Sequence, residues 1–304
     1  MRASKVIGLY LAAAILLGAL LAPWLFWAVQ QVAPRVSALD RYAAYPFHRI
    51  FDRSILLVAL AGLWPLLRTI GFRFWSDVGY VRGRGWWRHV LAGFVLGIAT
   101  LTVLIAFLVV LGGHRLTFTK TPAQMTGAVA KFFFVGVAVA LIEETFFRGA
   151  LQGALQRRLN VALAVVVAST VYSAVHVLKP NGVNIPADQV TWTSGGKCLV
   201  WIVTQSMRQK GAGIQFVSLF LVGCVLGLAY AKTGALYLPI GLHAGWVLAN
   251  EFMRWSATLD VTQEVASWPM LVALLVLVFW LCQKAFQPLR GPGLSSSGHG
   301  APST

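Results

Sequence analysis

Three charged residues in one short stretch have the types and the spacing for chemistry inside a membrane. Glu143, Glu144 and Arg148 come at the end of an apolar run, Phe132–Ile142, and the whole chain has only nine acidic residues. A charge at the centre of a bilayer costs about 2.5–3.5 kcal/mol even on the lenient insertion scale, so charges there usually serve a function. A structural ion pair between helices is the alternative interpretation.

Helical spacing gives the two glutamates different surroundings. Glu144 and Arg148 are four residues apart, so on a helix they share a face and can form an ion pair. Glu143 is turned about 100° away from that face. We therefore expect the arginine to neutralise Glu144 and to leave Glu143 as the carboxylate available for chemistry.

Two of the six histidines, His176 and His243, fall within apolar spans. Suppose that helices four and five form an antiparallel hairpin that turns near Leu159–Asn160. Glu143 then lies 160 − 143 = 17 residues before the turn, and His176 lies 176 − 160 = 16 residues after it. At about 1.5 Å per residue, the two side chains share a height to within roughly 2 Å. The remaining histidines are predicted to be surface residues: His48, His89, His114 and His299.

Glycines recur at four-residue spacing beside these polar residues. Such pairs allow two helices to approach each other closely. We therefore expect helices four, six and seven to pack tightly around the polar cluster. The pairs are Gly149 and Gly153, Gly223 and Gly227, and Gly241 and Gly245, the last of which flanks His243.

The residue types indicate hydrolysis by an activated water. A carboxylate in an apolar cleft suits a general base near neutral pH, because desolvation disfavours its charged form. Glu143 can deprotonate a water for attack on a peptide carbonyl, while histidines orient that water or stabilise the oxyanion. Glu143, His176 and His243 are also a legitimate zinc ligand set, although no His-Glu-x-x-His motif is present. Nucleophilic catalysis and a disulfide framework are disfavoured, because the sequence has no Gly-x-Ser-x-Gly and its three cysteines are widely spaced.

The composition is that of a polytopic helical membrane protein. Of the 304 residues, 58% are hydrophobic and 11% are charged, whereas about 25% are charged in an average soluble protein. The formal net charge of +16 comes mostly from residues between the apolar runs. It therefore indicates membrane topology and anionic headgroups rather than nucleic acid. The most basic connector, Arg68–Arg88, predicts a cytoplasmic loop and, with it, two cytoplasmic termini.

Apolar runs recur along the chain and predict an all-α bundle of about eight transmembrane helices, since each span needs roughly 20 residues. The insertion Asn181–Lys210 is expected to be a loop or a re-entrant element, and the tail Pro288–Thr304 is expected to be disordered. The predicted spans are Val6–Val29, Ser54–Leu67, Val90–Leu111, Thr126–Arg158, Val161–Leu178, Ile214–Ala231, Ala235–Phe252 and Ala266–Lys284.

The polar motifs resemble those of the CPBP family, which comprises the CAAX prenyl endopeptidases and the bacteriocin-processing or bacteriocin-immunity (Abi) proteins. The resemblance is carried by Glu143-Glu144-x-x-x-Arg148, Tyr172-x-x-x-His176 and His243, and it covers Thr126–Phe252. It implies a bundle of transmembrane helices around a buried, water-filled polar cavity. It also implies an intramembrane endopeptidase that hydrolyses a peptide bond near the membrane surface.

By resemblance, each candidate residue has a role. Glu143 is the base that activates water, and Glu144 and Arg148 support the site. His176 and His243 bind the water or stabilise the oxyanion. The family was once described as metalloproteases and is now regarded as glutamate-type, so no cofactor is expected. Zinc held by Glu143, His176 and His243 is the alternative.

The third motif departs from the family pattern. The family usually has Asn or Asp four residues after the last histidine, and this chain has Val247. Asn250 and Glu251 come about two turns after His243 and are candidates to substitute. The departure favours an alternative function, a non-catalytic membrane immunity or assembly factor that retains the fold. A transporter with a proton-coupled carboxylate is a third interpretation, but no internal repeat supports it.

The resemblance, together with the placement of charge, the order of apolar runs and a compact sequence rich in Arg and Trp, leads to expectations for partners, location and organisation. The partners are a membrane-anchored peptide or protein substrate and membrane lipids, with no nucleic acid. The expected location is the bacterial inner membrane, as a multi-pass protein. The chain is predicted to consist of N-terminal transmembrane helices with the basic connector at 1–122, the catalytic core at 123–252, and a final transmembrane helix with the tail at 253–304.

Overall fold

The computed structural model describes residues 3–36, 40–81, 83–110, 115–180, 182–259 and 280. By their contacts, the residues form two compact units, each built from two separate stretches of the chain. The first unit comprises Met1–Arg73 and Ala150–Cys224, and the second comprises Phe74–Gly149 and Val225–Thr304. Because both units take helices from distant parts of the chain, this grouping does not test the predicted linear division at residues 122 and 252.

The first unit is built from helices of the N-terminal region and of the middle of the chain. They are α1 (Ala3–Val32), α2 (Asp40–Ala43), α3 (Phe47–Thr69), α6 (Gly153–Gln156), α7 (Val161–Val177), α8 (Ser194–Gln205) and the first part of α9 (Ala212–Thr233). The hydroxyl of Ser54 on α3 donates to the Gly18 carbonyl of α1 at 2.7 Å. Gly195 of α8 lies so close to α1 that any side chain there would clash with the Ala19 carbonyl. A core that includes Phe51 fills the space between these three helices.

The second unit contains three long helices and a short sheet. Its elements are α4 (Trp86–Val110), α5 (Pro122–Glu144), the last part of α9, α10 (Tyr237–Ser256), a 3-10 helix (Trp75–Val78) and the strands β1 (Leu116–Phe118) and β2 (Ala257–Leu259). The strands are antiparallel, with Phe118 opposite Ala257. Helix α10 packs against both α4 and α5. The indole of Trp246 on α10 donates to the Thr100 hydroxyl of α4 at 2.8 Å.

Five helices of the described residues are long and apolar enough to cross a membrane. They lie at Lys5–Arg35, Phe47–Thr69, Trp86–Phe107, Pro122–Gln156 and Ala212–Thr233. Helix α7 is apolar but has only 17 residues, and α10, which carries Glu251 and Arg254, is not among the five. The predicted all-α class is confirmed, whereas the count of about eight spans stays a prediction. The predicted eighth span and the tail lie outside the described residues apart from Trp280.

The turn predicted near Leu159–Asn160 is confirmed. The side chain of Asn160 caps the start of α7 by accepting from the Leu163 amide at 2.8 Å. Just before the turn, the Arg157 guanidinium lies 4.0 Å from the centre of the Phe72 ring and donates to the Ile70 carbonyl at 3.3 Å. The C-terminal end of α3 and the turn before α7 therefore lie on the same side of the first unit.

The insertion predicted at 181–210 contains helical structure. Helix α8 lies in it, between the 3-10 helices Ala187–Gln189 and Ser206–Arg208. With 12 residues, α8 is too short to span a bilayer. Near its start, the insertion contacts α3, where the Nδ1 atom of His48 lies 3.1 Å from the Val183 carbonyl oxygen. The insertion is therefore a packed part of the first unit.

Candidate active site

The two glutamates lie where the helix changes its hydrogen-bonding pattern. Helix α5 ends at Glu144, and the chain continues as a π-helix at Thr145–Gln152 before α6 begins. The predicted continuation of the fourth helix past the glutamates is confirmed as far as Gln156, and the structure adds the change to π-helical hydrogen bonding within it. A π-helix is rare, appears mostly as a single-turn bulge and occurs frequently at functional sites. Residue spacing alone does not reveal it, because it depends on contacts with the rest of the fold.

Glu144 is held by two basic side chains. Its Oε1 atom accepts a hydrogen bond from Nη1 of Arg148 at 3.0 Å and lies 2.7 Å from Nδ1 of His243. All three side chains are buried, with Glu144 fully inaccessible and Arg148 1% exposed. The predicted pairing of Glu144 with Arg148 is thus confirmed. The structure adds that His243 joins the same carboxylate from α10.

These contacts determine which nitrogen of His243 carries a proton. A carboxylate is only an acceptor, so Nδ1 must be the donor towards Glu144. In the neutral ring, Nε2 is then the atom with the lone pair. This Nε2 atom lies 3.8 Å from Oε2 of Glu143. The Glu143 side chain is 22% exposed, whereas that of Glu144 is fully buried. Of the two glutamate side chains, that of Glu143 is therefore the more exposed, and its Oε2 atom faces the side of the imidazole that can take up a proton.

Close helix packing positions His243. A side chain at Gly241 or Gly245 would clash with the carbonyl oxygen of Val90 or Phe94 on α4. A Cβ at Gly136 of α5 would lie 2.8 Å from the Ala244 carbonyl oxygen. The predicted close approach at Gly241 and Gly245 is confirmed, but their partner is α4, the predicted third span.

Gly149 and Gly223, the first members of the other two glycine pairs, also contact elements that differ from those expected. A Cβ at Gly149 would lie 2.7 Å from the carbonyl oxygen of Val78, so this glycine packs against the short 3-10 helix of the connector between α3 and α4. A Cβ at Gly223 of α9 would lie 2.9 Å from Cβ of Ser169 on α7. The physical reason is that a glycine spacing permits close approach without choosing the partner.

His176 belongs to the first unit, near the C-terminal end of α7. Its Nδ1 atom lies 2.8 Å from the Tyr172 carbonyl oxygen, which can only accept, so Nδ1 carries the proton and Nε2 has the lone pair in the neutral ring. The rings of Tyr172 and His176 lie 4.4 Å apart between centroids. Both histidines thus have Nδ1 committed to an oxygen acceptor. The shared height of His176 and Glu143 stays a prediction.

The polar residues that follow His243 lie outside the cluster. Asn250 is exposed, and Glu251 is partly buried one residue further on. They come about two helical turns, or roughly 10 Å, beyond His243. Val247 is half-buried at the position where the family pattern has Asn or Asp. Asn250 is thus a poor substitute for the missing polar group.

Two hydroxyl groups that the sequence analysis missed adjoin the glutamates. The Tyr80 hydroxyl lies 2.6 Å from Oγ1 of Thr145, the residue after Glu144. Burial raises the pKa of Tyr80, and the Glu144 carboxylate contributes to the same direction, so the phenol is neutral at physiological pH. The sequence carries little signal for Tyr80, since it stands in the basic connector 65 residues before Thr145.

The part of the chain that the structure describes contains no group of three or more His, Cys, Asp or Glu side chains arranged to hold a metal ion. Within the second unit, Glu143, Glu144 and His243 are neighbours. The 2.7 Å contact of His243 with Glu144 commits Nδ1 to a carboxylate partner. The zinc alternative through Glu143, His176 and His243 stays a prediction that a chelator can test.

The fold and the site together define a class of protein, an all-α integral membrane protein in which Glu144 and Arg148 of a helix of spanning length form a buried cluster with His243 of α10. Residues 125–249 match the family described as type II CAAX prenyl endopeptidase Rce1-like. This segment is less than half of the chain and contains all five predicted site residues, and the match confirms the predicted resemblance. At the level of the family, it supports a membrane endopeptidase with a membrane-associated peptide or protein substrate. No curated protein and no solved structure matches the chain significantly.

Proposed function

We propose that the protein is a glutamate-type intramembrane endopeptidase in which Glu143 activates water and His176 and His243 assist. The observation that supports this most is the contrast between the two carboxylates. Glu144 is fully buried and held by Arg148 and His243. Glu143 is partly exposed and lies 3.8 Å from Nε2 of the same imidazole. One carboxylate is thus fully buried and held by two basic side chains, and the side chain of the other is the more exposed of the two.

The proposed reaction needs one proton acceptor that later returns the proton. Glu143 takes a proton from water as the water oxygen forms a bond to the peptide carbonyl carbon. The carbonyl oxygen becomes an oxyanion, which His243 and, as the family resemblance implies, His176 stabilise as hydrogen-bond donors when each imidazole has taken up a second proton at Nε2. The C–N bond then breaks, and Glu143 returns its proton to the leaving amine. Arg148 and Glu144 keep the imidazole of His243 oriented throughout.

The substrate class follows from the location of the site. Glu143 lies in Pro122–Gln156, a helix of spanning length and apolarity, so the scissile bond must reach it from the membrane. A membrane-anchored peptide or protein tail meets that requirement, and a CAAX-like tail is the substrate that the family description names. We propose a multi-pass location in the bacterial inner membrane, with membrane lipids as the surroundings of the site.

The test is proteolysis by the purified full-length protein in detergent against a library of membrane-anchored peptides. The assay is run with and without a strong chelator, and with Glu143→Gln beside Asp188→Asn, a change at an exposed carboxylate of the first unit. We expect cleavage by the wild type and by Asp188→Asn, with and without chelator, and none by Glu143→Gln. Loss of cleavage in the chelator would favour zinc, and full activity of Glu143→Gln would refute the mechanism.

Val247 favours a second candidate function, a non-catalytic membrane immunity or assembly factor. This residue replaces the polar group of the family pattern with an aliphatic side chain, and the nearby Asn250 is exposed. The triple variant with alanine at Glu143, His176 and His243 distinguishes the two functions in cells. A cellular phenotype that survives this variant would support the non-catalytic function, and one that is lost would support the endopeptidase.

A further inference from the structure

A tyrosine outside the family match contacts the segment that carries the glutamates. Tyr80 lies in the connector between α3 and α4, before the matched residues 125–249. Its hydroxyl lies 2.6 Å from Oγ1 of Thr145, the first residue of the π-helix and the direct neighbour of Glu144. The contact joins two elements of the second unit that are 65 residues apart in the chain.

The direction of this hydrogen bond is determined by its neighbours. Oγ1 of Thr145 lies 2.5 Å from the Leu141 carbonyl oxygen, which can only accept, so the threonine proton points to Leu141. A hydroxyl has one proton, and Tyr80 must therefore be the donor to Thr145. The result is a chain of two bonds, from Tyr80 to Thr145 and from Thr145 to Leu141. In the sequence, Glu143 and Glu144 lie between Leu141 and Thr145, the two residues that the second bond joins.

The two residues before Tyr80 contact both the start of α10 and the π-helix. Gly79 has a φ of +107°, a conformation that glycine adopts without strain. The Gly79 carbonyl accepts from the Leu236 amide at 3.0 Å, just before α10 begins. Val78 is fully buried, and its carbonyl oxygen would lie 2.7 Å from a Cβ at Gly149. Tyr80 therefore contacts the π-helix, and the residue before it, Gly79, is hydrogen-bonded through its backbone to the start of α10.

This arrangement connects the two parts of the proposed site. The π-helix and the preceding turn of α5 carry Glu143, Glu144 and Arg148, and α10 carries His243. The connector contacts both of them, through Thr145 and Gly149 on one side and through Leu236 on the other. A displacement of the last turn of α5 relative to α10 would change the distance of 3.8 Å between Glu143 and His243.

We propose that Tyr80 is a positioning residue of the site. Its hydroxyl donates to Thr145, holds the last turn of α5 at the start of the π-helix, and thereby sets the distance between Glu143 and His243. This inference rests on the proposed endopeptidase function. It assigns to Tyr80 an effect on turnover rather than on substrate binding, because the phenol acts on the protein's own backbone segment.

The experiment compares kcat and KM for a peptide that the wild type cleaves, in Tyr80→Phe, Thr145→Val, Thr145→Ser and the double variant Tyr80→Phe/Thr145→Val. Tyr45→Phe in the first unit is the matched control. We expect Tyr80→Phe to lower kcat by about two- to tenfold, the range of one hydrogen bond, with KM unchanged. Thr145→Ser keeps the hydroxyl and should retain activity. The double variant should be no slower than Thr145→Val, because both changes break the same chain of bonds.

Several results would overturn the proposal. An unchanged kcat in Tyr80→Phe, an effect confined to KM, or losses that multiply in the double variant would show that Tyr80 does not act through Thr145. In these cases the wild type and Tyr45→Phe still cleave, so the proposed function stands. If neither of those two cleaves any peptide, the proposed function fails, and the positioning role of Tyr80 in turnover fails with it. Melting temperatures of the same variants then still measure whether the bond between Tyr80 and Thr145 exists.

Discussion

Nδ1 of His243 and Nη1 of Arg148 bind the same atom, Oε1 of Glu144, at 2.7 Å and 3.0 Å. One carboxylate oxygen thus joins a residue four positions later in the same segment to a residue 99 positions away on α10. Glu144 is the structural centre of the cluster, and its neighbour Glu143 is the more accessible carboxylate. This difference leads to separate expectations for the two adjacent glutamates.

Replacing each glutamate by glutamine should separate catalysis from stability. Glu143→Gln is expected to abolish cleavage and to leave the melting temperature near that of the wild type, because the side chain is partly exposed. Glu144→Gln is expected to lower both the rate of cleavage and the melting temperature, because it leaves the buried Arg148 guanidinium without its charged partner. The measurements are peptide cleavage and thermal unfolding in one detergent. Equal loss of stability in both variants would contradict the assignment.

The buried ion pair should be costly to break from the arginine side. Arg148→Met leaves the Glu144 charge buried, and removing one partner of such a pair typically costs about 3–5 kcal/mol. Arg254→Met, at an exposed arginine of α10, is the matched control and should have little effect. The measurement is the free energy of unfolding of each variant, determined from the loss of helicity in a denaturing detergent. The double variant Arg148→Met with Glu144→Gln should recover part of the loss, and a purely additive result would speak against a direct pair.

The contact of α10 with α4 predicts an effect of a single methyl group. Gly245→Ala would bring a Cβ into the carbonyl oxygen of Phe94, so the two helices must separate. We expect a loss of about 1–3 kcal/mol in the free energy of unfolding and weaker cleavage, since His243 lies two residues before this contact. A Cβ at Gly127 of α5 would meet nothing within 4 Å, so Gly127→Ala is the control. This variant should be more stable than the wild type by about 0.5–1 kcal/mol, because alanine is more favourable than glycine in the interior of a helix.

Cys198 tests the packing of the insertion in the first unit. This thiol is fully buried, and burial raises its pKa to about 12. At pH 8, four units lower, only about one thiol in ten thousand is then ionised, and the thiolate is the reactive form. With Cys224 and Cys282 replaced by alanine, Cys198 should resist a water-soluble maleimide until the protein is denatured. Thr204→Cys, on the exposed side of α8 in a background without other cysteines, should react faster. Equal rates would show that α8 is not packed as described.

Local spacing was sufficient for the features that depend on neighbouring residues. The pairing of Glu144 with Arg148 follows from a separation of four residues on a helix, and the structure has it at 3.0 Å. The turn before α7 follows from Asn160, whose side chain caps the helix. The all-α membrane class and the family resemblance also follow from the order of residue types, because hydrophobic runs and short motifs are properties of the chain itself.

Tertiary structure alone decided the features that depend on distant segments. The contact of His243 with Glu144 spans 99 residues, and the contact of Tyr80 with Thr145 spans 65 residues. No spacing rule predicts either, because both require a particular packing of α10 and of the connector against the segment that bears the glutamates. The π-helix at Thr145–Gln152 has the same origin, as does the choice of α4 as the partner of Gly241 and Gly245. The order of residue types thus predicts which residues carry the chemistry, and the packing of helices decided how Glu144, Arg148 and His243 are held.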